Sequence, residues 1–189
     1  MLRLFAFNLL VLSASLVATA LGAGDEKGEA APPPAPVTAE AAFERLKTMV
    51  GEWKNTSDLC DPSLAGVEGA DRVRYKLTGG GSALVEVSAP DTRAEMISVY
   101  HLDGEDLRMT HYCSVKNQPR LKLDRAASKP DRLVFAFDGG TNLDPARDMY
   151  ISGLVLSFPA DGRVVSDWQC NQGAEKAAPA TFELTRAGK

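Results

Sequence analysis

The stretch Ser98 to Cys113, "SVYHLDGEDLRMTHYC", decides the fold. Two runs with a period of two flank Asp103-Gly104, a dipeptide typical of tight hairpin turns, so the stretch predicts two antiparallel strands. A two- or four-residue loop there puts even residues of the first strand on the same face as odd residues of the second. The more apolar of the two faces should point inward, and its members are Met96, Ser98, Tyr100, Leu102, Leu107, Met109, His111 and Cys113.

The period of two continues on both sides of this hairpin. From Trp53 onward the pattern predicts about ten strands and no further long helix. Tight links alternate with looser ones, so an up-and-down arrangement would have one end closed by short hairpins and one mouth lined by longer loops. The sequence therefore predicts an all-β fold, a single up-and-down antiparallel barrel. Its strands should lie near residues 52–58, 71–78, 82–89, 94–102, 107–115, 120–125, 132–138, 149–158, 163–171 and 180–187.

A short helix should precede the barrel. Thr38 can cap it, and Gly51 is positioned to end it. Phe43, Leu46 and Met49, with the neighbouring Val50, fall on one stripe at helical spacing.

The predicted interior contains a candidate binding site. Across the triple glycine at 79–81, the same reasoning places Ala83, Val85 and Val87 inside with Tyr75. Concave sites lined by aromatic side chains and Met, with a few polar groups, suit a small apolar or amphipathic molecule. The candidate ligand-binding residues are Tyr75, Met96, Tyr100, Met109, His111, Cys113 and Trp168, with Asn117 and Gln118 in a loop at the mouth.

The first residues predict export. Arg3 precedes an apolar run that ends in Ala18-Thr19-Ala20, the small-x-small pattern of a cleavage site, so residues 1–20 are predicted to be a signal peptide. Residues 21–37 form an Ala- and Pro-rich linker without apolar periodicity, predicted to be disordered, and residues 38–189 form the barrel domain. We therefore expect an extracytoplasmic protein, periplasmic or secreted, with no transmembrane span after cleavage.

The cysteine count suggests one disulfide. Three cysteines in an exported chain indicate one bridge and one free thiol. Cys60, in a loop that can reach a late strand, is the favoured partner of Cys170, which leaves Cys113 as an interior thiol. The alternative is three reduced, buried cysteines.

Composition excludes some classes of function. Of 189 residues, 21 are Lys or Arg and 25 are Asp or Glu, for a net charge of −4 without a clustered basic face, so no nucleic-acid partner is expected. His111, Cys113 and Cys170 are few donors for zinc or copper, and we predict no metal site, cofactor or catalytic residue. Two alternatives remain open: an enzyme that uses His111 with Tyr100, or Cys113 as nucleophile, and a ligand-free barrel with a structural or interaction role.

Two further stretches carry a resemblance. Gly51-Glu52-Trp53 after a short helix resembles the G-x-W start of lipocalins and other calycins. "SVYHLDGEDLRMTHYCSVKNQPRL" (98–121) and "DGGTNLDPARDMYISGLVLSF" (138–158) resemble a family of secreted, largely uncharacterised bacterial proteins with a lipocalin-like or nitrobindin-like barrel. The resemblance implies a ten-stranded calycin-type barrel with an interior cavity and no known activity. Members often carry histidines where this chain has residues 149–152, so a histidine-based metal or haem site is not implied.

Overall fold

The computed structural model describes residues 36–58 and 64–188. The predicted signal peptide, nearly all of the predicted linker, and Cys60 lie outside these ranges. Val37, at the end of the predicted linker, is buried against the core.

One helix precedes eleven strands. The helix is α1 (Ala39–Lys47). The strands are β1 (Gly51–Asn55), β2 (Arg72–Thr78), β3 (Ala83–Ser88), β4 (Met96–Asp103), β5 (Asp106–Tyr112), β6 (Gln118–Leu123), β7 (Arg132–Thr141), β8 (Met149–Ser157), β9 (Val164–Gln172), β10 (Glu175–Lys176) and β11 (Ala180–Arg186).

Ten of these strands form a closed antiparallel barrel, which confirms the predicted fold class. Each strand from β1 to β9 pairs with the next, β9 pairs with β11, and β11 pairs with β1 to close the ring. The two-residue β10 pairs with the end of β9 on the side that β11 occupies farther along. Closure gives each of these ten strands a hydrogen-bonded neighbour on both sides, so none of the ten is an edge strand.

The helix α1 closes one end of the barrel. The Thr38 hydroxyl accepts from the Ala41 amide at 3.1 Å, as predicted for the cap, and Phe43 and Leu46 are buried in the core. The helix ends earlier than predicted, at Lys47, because the next three amides bond to carbonyls three residues back and tighten the last turn. Val50 consequently faces solvent.

Trp53 and Arg186 fasten this closed end. Trp53 Nε1 donates to the Met49 carbonyl at 2.6 Å, and the Arg186 guanidinium lies 4.3 Å from the centre of the indole ring. Arg186 also donates to the carbonyls of Val50 and Thr48, both at 2.6 Å. The last described strand is thereby bonded to the helix end and to the first strand.

Gly51 is required where these groups meet. Its φ is +130°, a conformation that other residues rarely adopt, and a Cβ there would lie 2.7 Å from Arg186 Nη1. The first position of the G-x-W pattern therefore has a steric explanation in this chain.

The links at the two ends differ only in part as predicted, because the β6–β7 and β8–β9 links, also at the end that α1 covers, are longer than the β5–β6 link at the other end. The β2–β3 and β4–β5 links are short and lie at the end that α1 covers, whereas the β1–β2, β3–β4, β5–β6, β7–β8 and β9–β11 links lie at the other. The backbone at residues 79–82 forms a four-residue turn in which Thr78 pairs with Ala83. We call the two ends of the barrel the closed end and the open end.

Candidate functional site

A cavity of ≈310 Å³ enters the barrel from the open end. Its walls come from β1 to β5, β8, β9 and β11 and from the links around them, and they are mostly apolar. This volume lies within the usual range of small-molecule pockets, about 300 to 1,000 Å³.

A polar row crosses the inner surface of four adjacent strands. The register pairs Tyr75 with Glu86, Glu86 with Ser98, and Ser98 with His111, so these four side chains share one level on the inward face. All four are buried, and Glu86 and His111 line the cavity. We call these four residues the polar row.

Glu86 is the buried acid of the polar row. Its side chain is 5% exposed, and Tyr100 Oη donates to Glu86 Oε2 at 2.7 Å. Burial raises the pKa of this carboxyl from 4.5 to about 7, although the hydroxyls of Tyr100 and Tyr75 act to lower it. The Tyr75 hydroxyl, although close enough to Glu86 to affect this pKa, has no partner of normal hydrogen-bond geometry among the described residues. Near neutral pH, Glu86 therefore exchanges between its acid and carboxylate forms.

His111 is the buried base of the polar row. Its Nδ1 lies 3.0 Å from Ser98 Oγ, and its ring centre is 5.2 Å from that of Trp168, which lies on the opposite wall. Burial lowers the pKa of the imidazole from 6.5 to about 4, so the ring is neutral near pH 7. His111 Nε2 has no hydrogen-bond partner among the described residues, although the side chain is only 3% exposed.

Four sulfur side chains line the cavity, at positions 96, 113, 149 and 170. Cys113 Sγ and Met96 Sδ are 4.0 Å apart. Cys113 and Cys170 are both free thiols. Burial raises the pKa of the Cys170 thiol, and the nearby Cys113 thiol adds to this effect. We call these four residues, Met96, Cys113, Met149 and Cys170, the sulfur rim.

The predicted Cys60–Cys170 disulfide is wrong for this structure. Cys170 is a free thiol on the inward face of β9, where it packs in the cavity wall. Cys60 lies outside the described residues.

The predicted site residues separate into three groups. Met96, His111, Cys113 and Trp168 line the cavity. Tyr75, Tyr100 and Met109 are buried but do not line it, although the Tyr100 hydroxyl reaches Glu86. Asn117 and Gln118 bond to neighbouring segments of the open end instead. Asn117 Nδ2 donates to the Met149 carbonyl at 2.7 Å. Gln118 Oε1 accepts from the Thr141 hydroxyl at 3.0 Å and from the Asn142 side-chain amide at 2.8 Å.

Glu86 is the site residue that sequence reasoning missed. The prediction of Val85 and Val87 as interior residues is wrong, because Tyr75 pairs with Glu86 and the even residues of β3 face inward. The turn contains Ser82 as well as the three glycines, and the Ser82 hydroxyl donates to the Gly79 carbonyl at 2.8 Å. Counting Ser82 into the turn would have put Glu86 beside Tyr75.

Two kinds of feature are absent from the described ranges. No group of three or more His, Cys, Asp or Glu side chains there could hold a metal ion. No helix in the same ranges is long and apolar enough to cross a membrane.

The fold and the cavity define a class, a closed antiparallel β-barrel with an internal pocket that opens at one end. Comparison with known proteins adds no family to this description. No model of a protein family matches the chain, and no curated protein matches it.

Proposed function

We propose that this chain is an exported binding protein that holds a small apolar or amphipathic molecule inside its barrel. The observation that carries the proposal is His111 Nε2, a buried polar atom without a partner that belongs to the lining of an apolar cavity. An unsatisfied buried donor or acceptor costs about 1 to 3 kcal/mol, and a ligand that bonds to it would recover that cost. The expectation of export rests on the sequence of residues 1–20.

Size and charge narrow the ligand. An engineered protein cavity of about 150 Å³ binds benzene, so ≈310 Å³ suits a molecule about twice as large. An anion would meet the Glu86 carboxylate, which favours a neutral or cationic molecule with one polar group directed at the polar row. A hydroxyl group fits either tautomer of His111, because it can both donate and accept.

The first test is the mass of the protein. Protein purified from its own host should show a mass excess under native conditions that disappears on denaturation. Ala180→Phe adds a ring to a residue that lines the cavity, and this variant should carry no excess. Ala136→Phe is the matched control, because Ala136 is exposed on β7, and it should keep the excess.

A probe molecule tests the cavity even if the natural ligand is lost during purification. Binding of 2-naphthol, followed by ligand-detected NMR, should occur with the wild type and with Ala136→Phe but not with Ala180→Phe. His111→Phe should weaken 2-naphthol more than naphthalene, which has no hydroxyl. A wild-type protein with neither an excess mass nor bound 2-naphthol would contradict the proposal, and so would 2-naphthol binding unchanged by Ala180→Phe.

A second candidate is an enzyme of the same fold. Glu86, with its pKa raised to about 7 by burial, has the affinity for protons that suits a general acid or base at neutral pH. The composition of the carried molecule separates the two candidates. If the carried molecule has the same mass in the wild type and in Glu86→Gln, the protein is a binding protein. If Glu86→Gln carries a molecule of different mass, this molecule is the unconverted substrate and the protein is an enzyme.

A further inference from the structure

Sulfur side chains are concentrated at the cavity. The described residues contain six of them, namely Met49, Met96, Met109, Cys113, Met149 and Cys170. Four of the six form the sulfur rim. They come from strands on two opposite sides of the barrel, the β4–β5 pair and the β8–β9 pair.

We propose that the sulfur rim binds one soft monovalent metal ion of the Cu(I) class, through Cys113, Met96 and Cys170. This site lies nearer the open end than the polar row, in the cavity that we propose for the organic ligand, and both proposals draw on the unpartnered His111 Nε2.

The spacing of two sulfurs fits a shared ion. Cys113 Sγ and Met96 Sδ are 4.0 Å apart. If each stood about 2.3 Å from one ion, the usual length of a metal–sulfur bond, their 4.0 Å separation would give an angle of about 120°. This is the angle of trigonal coordination, which leaves a third position for another ligand.

Cys170 lines the same cavity from the opposite wall and is the third ligand that we propose. One level deeper, His111 and Trp168 meet across the lumen with ring centres 5.2 Å apart. Cys113 follows His111 by two residues and Cys170 follows Trp168 by two, so both thiols extend from the same opposing walls toward the same cavity. The electrostatic effect of Cys113 on Cys170 agrees with this proximity.

An unpartnered nitrogen lies beneath the rim. His111 Nε2 is buried, has no partner, and belongs to the lining of the same cavity. It gives a bound ion a nearby polar group that has no competing hydrogen bond. This observation is independent of the sulfur spacing and indicates a missing ligand.

The donor set selects the class of ion. Thiolate and thioether sulfur favour Cu(I) and similar soft ions, whereas calcium and magnesium require oxygen. A zinc site normally needs four ligands of the Cys, His and carboxylate kinds, and no cluster of even three exists among the described residues. Each thiol that binds loses its proton to solvent and its sulfur forms the metal bond. Because binding releases these protons, the affinity for the ion should rise with pH. No electron is transferred in this step.

An anaerobic competition titration tests the site. Full-length protein is titrated with Cu(I) against a coloured Cu(I) chelator, and the wild type should bind one equivalent. Cys113→Ser and Cys170→Ser should each lower the affinity by more than about 100-fold, and Met96→Leu, which conserves volume, by about 10-fold. Met109→Leu is the control on β5, because Met109 is buried outside the cavity. Cys60→Ser is measured alongside and should bind as the wild type does.

Folding is checked in the same samples. The unfolding midpoint should rise with Cu(I) in the wild type and in Met109→Leu but not in Cys113→Ser. If a cysteine variant does not fold, Met96→Leu decides the result. Unchanged affinity in folded Cys113→Ser or Met96→Leu overturns the proposal, as does a loss of binding confined to Cys60→Ser. Equally tight Zn(II) binding that depends on the same residues would overturn the assignment to a soft monovalent ion.

Discussion

The two ends of the barrel differ in how their polar groups are bonded. At the closed end, Trp53 Nε1 and the Arg186 guanidinium donate to the carbonyls of residues 48–50, directly after α1. At the open end, His111 Nε2 and Asn117 Oδ1 are buried without partners. Buried polar atoms without partners among the described residues occur at both ends, since Arg45 Nε on α1 is another, but His111 Nε2 belongs to a residue that lines the cavity, which Arg45 does not.

The backbone shows the same difference. In the closed-end links between described strands, the residues with positive φ are glycines. The non-glycine residues with positive φ all lie in open-end links, and they are Ala89, Asp91, Lys116 and Asn142. Such conformations cost about 1 to 3 kcal/mol each and tend to cluster at functional sites. Among the described residues, the strained non-glycine positions are thus concentrated at the open end, where the cavity enters the barrel.

The largest effect should come from the closed end. Trp53→Ala removes a side chain that is 3% exposed, together with its hydrogen bond to Met49 and its contact with Arg186. We expect a loss of about 3 to 5 kcal/mol in the free energy of unfolding, measured by urea denaturation. A loss below about 1 kcal/mol would mean that this end does not stabilise the barrel.

The second effect concerns pH and the polar row. The folded pKa of Glu86 is about 7, above its ordinary value of 4.5, so its contribution to stability is full below pH 4.5 and is lost as pH rises to 7. His111 acts in the opposite direction: its folded pKa is about 4, below 6.5, so its contribution is full above pH 6.5 and is lost as pH falls to 4. Between about pH 4.5 and 6.5 the two slopes should nearly cancel in the wild type.

Single variants should reveal the two slopes. In Glu86→Gln, unfolding free energy should rise with pH relative to the wild type, by about 3 kcal/mol in total between pH 4.5 and 7. In His111→Gln it should fall, by a similar amount, between pH 4 and 6.5. The measurement is urea denaturation at a series of pH values, with the wild-type curve subtracted. Flat difference curves would show that neither group is buried as described.

A smaller effect should follow from the glycine at the closed end. Gly51→Ala forces a Cβ to within 2.7 Å of Arg186 Nη1 at φ +130°, and should cost about 1 to 3 kcal/mol. Gly80→Ala is the matched control, because φ is +66° there and nothing lies within 4 Å of the added carbon. Thermal unfolding of both variants checks this: Gly51→Ala should lose more stability, from the clash and from its more restricted φ, and equal losses would contradict the prediction.

The smallest effect should be a gain at the open end. Lys116 is exposed with φ 73°, in the turn that joins β5 to β6. Lys116→Gly should raise the free energy of unfolding by up to about 1 kcal/mol, because glycine adopts this conformation without strain. Calorimetry of the variant checks this, with Lys122→Gly, on β6, as a control that should lose stability. A loss in Lys116→Gly would show that the open-end turn is not strained.

The fold was predictable because its signals are local. Gly104 and Glu105 form a two-residue loop between Asp103 and Asp106, so alternation placed His111 and Cys113 on the inward face correctly. The triple glycine led to the wrong inward face for β3, because the β2–β3 turn also includes Ser82. The bond from the Ser82 hydroxyl to the Gly79 carbonyl is visible only in three dimensions.

The site was only half predictable for the same reason. His111, Cys113, Met96 and Trp168 were found by their chemical type and their strand parity. Glu86 was missed because a carboxylate in an apolar strand is normally assigned to the solvent face, and its partner Tyr100 comes from another strand. The sequence suggested a disulfide for Cys170 from the cysteine count, and such a count does not define which thiols meet in three dimensions.

Pairing of β1 with β11 sets a condition on the order of folding. Trp53 pairs with Arg186, so the contact that completes the ring joins two of the most distant residues in the described chain. Bringing such distant residues together costs chain entropy before the contact stabilises the fold. Proteins dominated by distant contacts therefore fold slowly. During synthesis, an emerging chain can form the hairpins from β2 to β9 but cannot shield either edge until β11 has emerged. Until then both sheet edges stay unpaired, which is the state in which partly folded chains aggregate or are bound by chaperones.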